Sequence, residues 1–292
     1  KLDAINNVNS LGIGIRIIKG DECYYTSTNN LNKDNIKEII KRLLLNIEES
    51  TSKKIKLEKL SDKTKKVKIP HTMYPIEKKK ELLLKMDKTA RNHSDLVTQV
   101  SGGILEKSRE FTVANSTGKY IKSNYFNTRI MASIYVERDG IKEYEFTDHA
   151  AGKGYEILDD FDIEEIILNA TKSAIKKLDA MDFKGGELPV VIAPGFGAVI
   201  FHEACGHGLE ATSVAPKLSV FSEDYNKKIA TEKVTLIDDG TIEGAWGSLI
   251  IDDEGNNPQK NILIENGVLK NYLIDAQHEK KMNLKSNGCC RR

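Results

Sequence analysis

The sequence predicts an α+β protein: N-terminal α/β layers followed by the start of a β-rich domain that carries a buried metal-binding helix. Three observations lead there. The first fifty residues read as a β-hairpin and a helix, and the middle of the chain reads as helix, then sheet, then helix. The last third shows short β runs separated by strong hairpin-turn signals around one apolar helical segment. The 292 residues divide accordingly into an N-terminal unit 1–66, a middle unit 67–185 and a metal-bearing unit 186–292.

The first unit opens with Gly12–Ile18, an alternating run, and a turn at Lys19-Gly20-Asp21 leads to its partner Tyr24–Thr28. Asn32 or Asp34 can cap the next helix, whose Ile36, Ile39, Ile40, Leu43, Leu44 and Ile47 recur at helical spacing. From Lys53 to Lys68 come eight lysines against Glu58 and Asp62. No aromatic residues interleave them, so the stretch reads as a solvated linker, closed by Pro70 and Pro75, rather than a basic patch for an acidic partner.

The middle unit begins with a helix over about Ile76–Arg91 and continues with β runs at Leu96–Val100, Arg109–Ala114, Ile130–Val136 and Lys142–Phe146. Asn115-Ser116-Thr117-Gly118 and Arg138-Asp139-Gly140 supply the turns between them. A glycine-bearing link, Gly152-Lys153-Gly154-Tyr155-Glu156, precedes a helix over Asp162–Leu178 with acids first and lysines last, as the helix dipole favours. In the third unit Pro189–Pro194 reads as a buried strand, and Gly195-Phe196-Gly197 turns into a helix. Two hairpins are then expected, around Asp238-Asp239-Gly240 and around Glu265-Asn266-Gly267.

Composition narrows the function classes. Lys plus Arg is 44 and Asp plus Glu 43, a net charge of +1, which excludes a globally basic nucleic-acid clamp. Four cysteines (Cys23, Cys205, Cys289, Cys290) are too few and too unevenly spaced for a disulfide framework. The longest apolar stretch, 188–201, is interrupted by Pro189, Pro194, Gly195 and Gly197 and is shorter than the roughly 20 residues a membrane span requires. The expected setting is soluble and cytoplasmic, with no membrane and no nucleic-acid partner.

The residues that carry chemistry are His202-Glu203-Ala204-Cys205-Gly206-His207, an HExxxH motif. Two imidazoles and a carboxylate this close suggest a zinc site with its own base. The spacing is one longer than the usual HExxH, and an ideal helix would set the histidines about 140° apart. Both reach one ion only if the helix distorts, so the segment 197–209 should contain a π-type or broken turn near Gly206. His202 and His207 are then the metal ligands and Glu203 the general base. The apolar Ala198–Phe201 run predicts that this helix is buried. Candidates for a third ligand are Cys205, Cys23, Cys289, Cys290, His71, His93, His149 and His278, and the spacing singles out none of them.

His202–Glu210 (HEACGHGLE), preceded by Pro189–Gly195, resembles the TldD branch of the TldD/PmbA (modulator of DNA gyrase) peptidase family. Gly12–Thr28, Gly152–Glu156 and Ile250-Ile251-Asp252-Asp253-Glu254-Gly255 extend the resemblance over nearly the whole chain. It implies a cytoplasmic zinc metallopeptidase acting on unfolded or extended peptides, with His202 and His207 as ligands and Glu203 as the catalytic glutamate. It also implies a dimer, with itself or with a paralogue that lacks the motif. The family's third ligand is a cysteine in a Gly-x-Cys-Gly-like segment. Cys289 and Cys290 do not sit in that context, so the third ligand is left unassigned and expected beyond Arg292. On this resemblance the chain is expected to be short at both ends, chiefly the C-terminus, to leave strand edges exposed, and to bind zinc weakly and cleave little. The alternative expectation is a non-catalytic peptide-binding or regulatory subunit with an incomplete metal site.

Overall fold

The structure is a computed structural model that describes residues 3–45, 47 and 54–291. Lys1, Leu2, Lys53 and Arg292 lie outside the described residues. The chain opens with the expected hairpin, β1 (Ile13–Lys19) antiparallel to β2 (Glu22–Thr28) across Gly20-Asp21. Helix α1 (Lys33–Leu44) follows, and Asn32 caps it through its side-chain oxygen, which accepts from the Asp34 N–H. Ile47 falls beyond its end.

The lysine-dense segment is exposed as expected, and a part of it is laid along the central sheet. Ser61–Asp62 (β3) runs parallel to the start of β5 (Tyr120–Arg138), and the Lys63 N–H donates to the Lys122 carbonyl. Strand β5 is the spine of that sheet. Strand β4 (Val97–Ala114) pairs with one edge of it, and β3 and then β6 (Ile141–Ala151) share the other. The runs expected at 96–100 and 109–114 are thus one continuous strand. The stretch between them, with two glycines and charged residues, joins the ladder through continuous backbone pairing, and its Ile104 packs against the core.

Helices α2 (Ile76–His93) and α3 (Ile163–Lys177) cover one face of the sheet. Met86, Ile130, Ile134, Ile167 and Ala174 form the shared core. Asp162 caps α3 through the Glu164 N–H. Between β6 and α3 the link Gly152–Glu156 works as a joint. Gly152 lies against the Ala245 carbonyl, and Gly154 against the Ile69 carbonyl, where an added Cβ would sit only 2.1 Å away. Tyr155 stacks on Tyr74 at 3.7 Å, and Glu156 accepts the Ile69 and Lys68 N–H groups. Linker, central sheet and third unit meet there.

The third unit departs most from expectation. Pro189–Pro194 is not a buried strand: it is exposed, outside any regular element and without a sheet partner among the described residues. Its prolines lack the N–H that a ladder needs. The metal-motif helix is not buried either. Val199, Ile200 and Phe201 are 39, 58 and 47% exposed, and the segment meets a core only through Leu209. An apolar run supplies one side of a buried interface, and no described element covers this one.

The hairpin around Asp238-Asp239-Gly240 does not form. Strand β7 (Leu236–Asp239) pairs instead with β8 (Lys260–Glu265) across a long loop. Asp239 accepts the Thr241 N–H and hydroxyl, so it turns the chain without returning it. The second hairpin forms as read, β8 to β9 (Val268–Leu269), with both Asn266 and Gly267 at positive φ. Strand β9 stops early, and Tyr272–Ile274 turns inward to join Leu209, Leu263 and Leu269 in a second core.

The Ile250–Gly255 loop links the units. Asp252 accepts the Glu254 and Asn256 N–H groups and so shapes its own loop. Asp253 lies 3.8 Å from Arg109 on β4, and Glu254 takes Arg16 of β1 at 2.5 Å. Among the described residues no helix is long and apolar enough to cross a membrane.

Candidate metal centre

The approach to the motif is a 3-10 turn, Phe196–Ala198, and the single turn α4 (Val199–Phe201). Regular winding then stops. Residues His202–Gly206 form a π turn in which the His207 N–H donates to the His202 carbonyl, five residues back. A 3-10 turn, His207–Leu209, completes the segment. The looser winding, with fewer degrees per residue than an α-helix, removes most of the divergence, and the two imidazoles lie with ring centroids 4.4 Å apart. The distortion expected near Gly206 is therefore present. At Gly206 an added Cβ would stand 3.2 Å from His202 Nδ1, so glycine lets that ring rest against the backbone.

The far end of the turn is held firmly. Leu209 is fully buried, the Leu273 N–H donates to its carbonyl at 2.9 Å, and the Ala211 N–H donates to the Leu273 carbonyl at 2.8 Å. The Ser219 hydroxyl donates to the Gly208 carbonyl at 2.6 Å, and the Phe221 ring occupies the space a Cβ at 208 would need. Helix α5 (Ala211–Val214) continues the chain into the core. A fixed base thus presents an open face.

On that face His202, Glu203 and His207 each offer one donor atom, all within 4.8 Å of one another, and all three residues are exposed. Two imidazoles and a carboxylate form a donor set that suits zinc. His207 Nε2 lies 3.8 Å from Glu203 Oε2, and His207 Nδ1 lies 2.8 Å from Glu210 Oε1. The Glu210 contact escaped the sequence reading, although an acid three residues past a candidate ligand is the available signal.

The other histidines and cysteines among the described residues stand outside this donor group. His71 hydrogen-bonds Thr128, His149 packs on Phe161, and Cys23 is exposed on the first hairpin. Cys205 sits inside the π turn, half-buried, and His93 ends α2. His278 pairs with Asp275 at 2.5 Å, beside a second close group, Glu254, Asp275 and Cys290. That group is tied internally, because Glu254 also takes Arg16 and the Ala276 N–H. Cys289 approaches Asn287 Oδ1 at 3.1 Å.

Burial, with Asp238 and Asp252 nearby, pushes the Cys289 thiol up to about 12. At pH 8 its thiolate fraction is then on the order of 10⁻⁴. Iodoacetamide should alkylate exposed Cys23 rapidly in the folded chain and Cys289 only after denaturation, as read by peptide mass mapping. Equal labelling in the folded chain would contradict this.

Comparison with known proteins gives a consistent picture. Residues 185–292 match the PmbA/TldA metallopeptidase C-terminal domain, 69–178 the central domain and 1–47 domain 1 of the same family. A metalloprotease TldD homolog of Buchnera aphidicola (from Acyrthosiphon pisum) is 33% identical over 96% of this chain and 60% of its own length. A zinc metalloprotease TldD homolog of Saccharolobus solfataricus is 32% identical over 51% of this chain and 33% of its own length. Among solved structures, a Bacteroides thetaiotaomicron protein described as a modulator of DNA gyrase superposes with a TM-score of 0.75 at 17% identity, covering 96% of this chain and 65% of that one. TldE from Thermococcus kodakarensis gives 0.70 at 22% identity, covering 94% and 62%. The α+β fold is thus shared with these structures. The chain spans about three-fifths of the Buchnera relative.

Proposed function

Since the chain belongs to the PmbA/TldD metallopeptidase family, we propose that it is a zinc-dependent peptidase, or the larger part of one, acting on unfolded or extended peptides in the cytoplasm. Its relatives are named metalloproteases, and one is named a zinc metalloprotease. The observation that carries the reading is the π turn, which sets His202, Glu203 and His207 on one exposed face with donors within 4.8 Å.

His202 and His207 hold the metal as neutral imidazoles. Bound zinc supplies Lewis acidity, lowering the pKa of water and polarising a carbonyl. Glu203 takes a proton from the attacking water and returns it to the leaving amine. The open face admits an extended chain. In this reading the three units keep the boundaries 1–66, 67–185 and 186–292, and the protein works as a dimer with itself or with a paralogue that lacks the motif.

A second reading, a non-catalytic peptide-binding or regulatory subunit, draws support from one observation. Among the described residues no cysteine or third histidine joins the donor group. Zinc titration of the chain against a chromophoric chelator separates the two. Uptake of about one zinc, lost in His202→Ala and in His207→Ala, supports the metal centre. Uptake unchanged in both variants removes it.

A further inference from the structure

We propose that Glu210 is the positioning residue of the metal centre, holding His207 in the tautomer that carries its proton on Nδ1. The inference rests on the zinc reading of His202 and His207 and adds a residue to it. Glu210 Oε1 lies 2.8 Å from His207 Nδ1, and a carboxylate can only accept there. The neutral ring must then donate from Nδ1, which leaves the Nε2 lone pair free. That nitrogen is on the Glu203 side of the ring, 3.8 Å from Glu203 Oε2.

The backbone makes Glu210 a firm holder. The residue is extended (φ −75°, ψ 136°) at the exit of the 3-10 turn, where its N–H donates to the His207 carbonyl. It sits between Leu209 and Ala211, whose backbone groups both pair with Leu273 of the second core. The backbone that carries the carboxylate is thus fixed from the core, while the Glu210 and His207 side chains are 40 and 55% exposed. A free neutral imidazole in water favours the opposite tautomer, with the proton on Nε2. Without Glu210 a metal binding at Nε2 would first have to shift that proton. Carboxylates that accept from the outer nitrogen of a ligating histidine serve this purpose in metal sites generally.

The test uses the whole 292-residue chain as wild type, Glu210→Ala and Glu210→Gln. The His207 tautomer is read from long-range ¹H–¹⁵N correlation spectra of the metal-free chain at pH 8, assigned with His207→Ala. Zinc alone is then titrated against a chelator. Wild type should show the Nδ1–H form, Glu210→Ala should shift toward Nε2–H, and its zinc affinity should fall about 10- to 100-fold. Glu210→Gln keeps an accepting oxygen and should retain most of both. It also guards against a folding defect in the alanine variant. An Nε2–H ring in the wild type, or identical tautomer and zinc affinity in Glu210→Ala, overturns the proposal while leaving the zinc reading intact. A wild type that takes up no zinc overturns the zinc reading and this inference with it.

Discussion

Glu203→Gln should lower peptide cleavage by about 10²-fold or more while leaving zinc content nearly unchanged, in any form of the protein that cleaves peptides. Glutamine matches glutamate in size and accepts a hydrogen bond, but it cannot take a proton from water. The loss should appear in kcat with KM little altered, because the peptide is held by other groups. His202→Ala should behave differently, losing metal and cleavage together, because an imidazole donor is removed. Metal analysis and a fluorogenic unfolded substrate, run on both variants, separate the roles. Zinc lost in Glu203→Gln as well would make Glu203 a ligand, and undiminished cleavage would remove it from the reaction.

The largest expected effect on stability lies far from this site, at Gly154. A Cβ there would sit 2.1 Å from the Ile69 carbonyl oxygen and 2.9 Å from Glu156 Oε2. Backbone cannot give way as a flexible side chain can, and the Ile69 carbonyl already accepts the Tyr155 N–H at 2.8 Å. Gly154→Ala must therefore push the linker off the sheet or break the Tyr74–Tyr155 stack. A cost of about 3 kcal/mol is expected, which for a chain of this size lowers Tm by roughly 6–10 °C. Gly186→Ala is the control, since a Cβ at 186 meets nothing within 4 Å, and it should shift Tm by a degree or two at most. Equal melting of the two variants would refute the joint.

Where structure follows from neighbours along the chain, the sequence was legible. The Gly20-Asp21 hairpin, the helix cap at Asn32, one of the two candidates there, and the Asn266-Gly267 turn are local bargains between a few residues, and each forms. The π turn belongs with them. The one-residue surplus between His202 and His207, with a glycine beside the second, is itself the instruction to distort. What failed depended on distant partners. Asp238-Asp239-Gly240 has hairpin chemistry, yet β7 found β8 twenty residues on, and no local signal ranks those two choices. The apolar runs 189–194 and 198–201 looked buried because composition reports a preference for contact without naming what makes it. Glu210 was missed for a related reason. Its carboxylate matters only through the bend that turns it back toward His207.

The position of Arg16 bears on how the molecule comes apart. Strands β1 and β2 form an isolated two-stranded ribbon, a structure that is barely stable alone in water. Besides α1, three contacts that steady it come from residues more than two hundred places along the chain. Arg16 reaches Glu254, Gln277 donates to the Asp21 carbonyl, and Lys281 lies 4.0 Å from Asp21. The ribbon therefore borrows its order. Its amides should lose protection from hydrogen exchange when the 250–281 region unfolds, so the first strands of the chain become a gauge of its last ones.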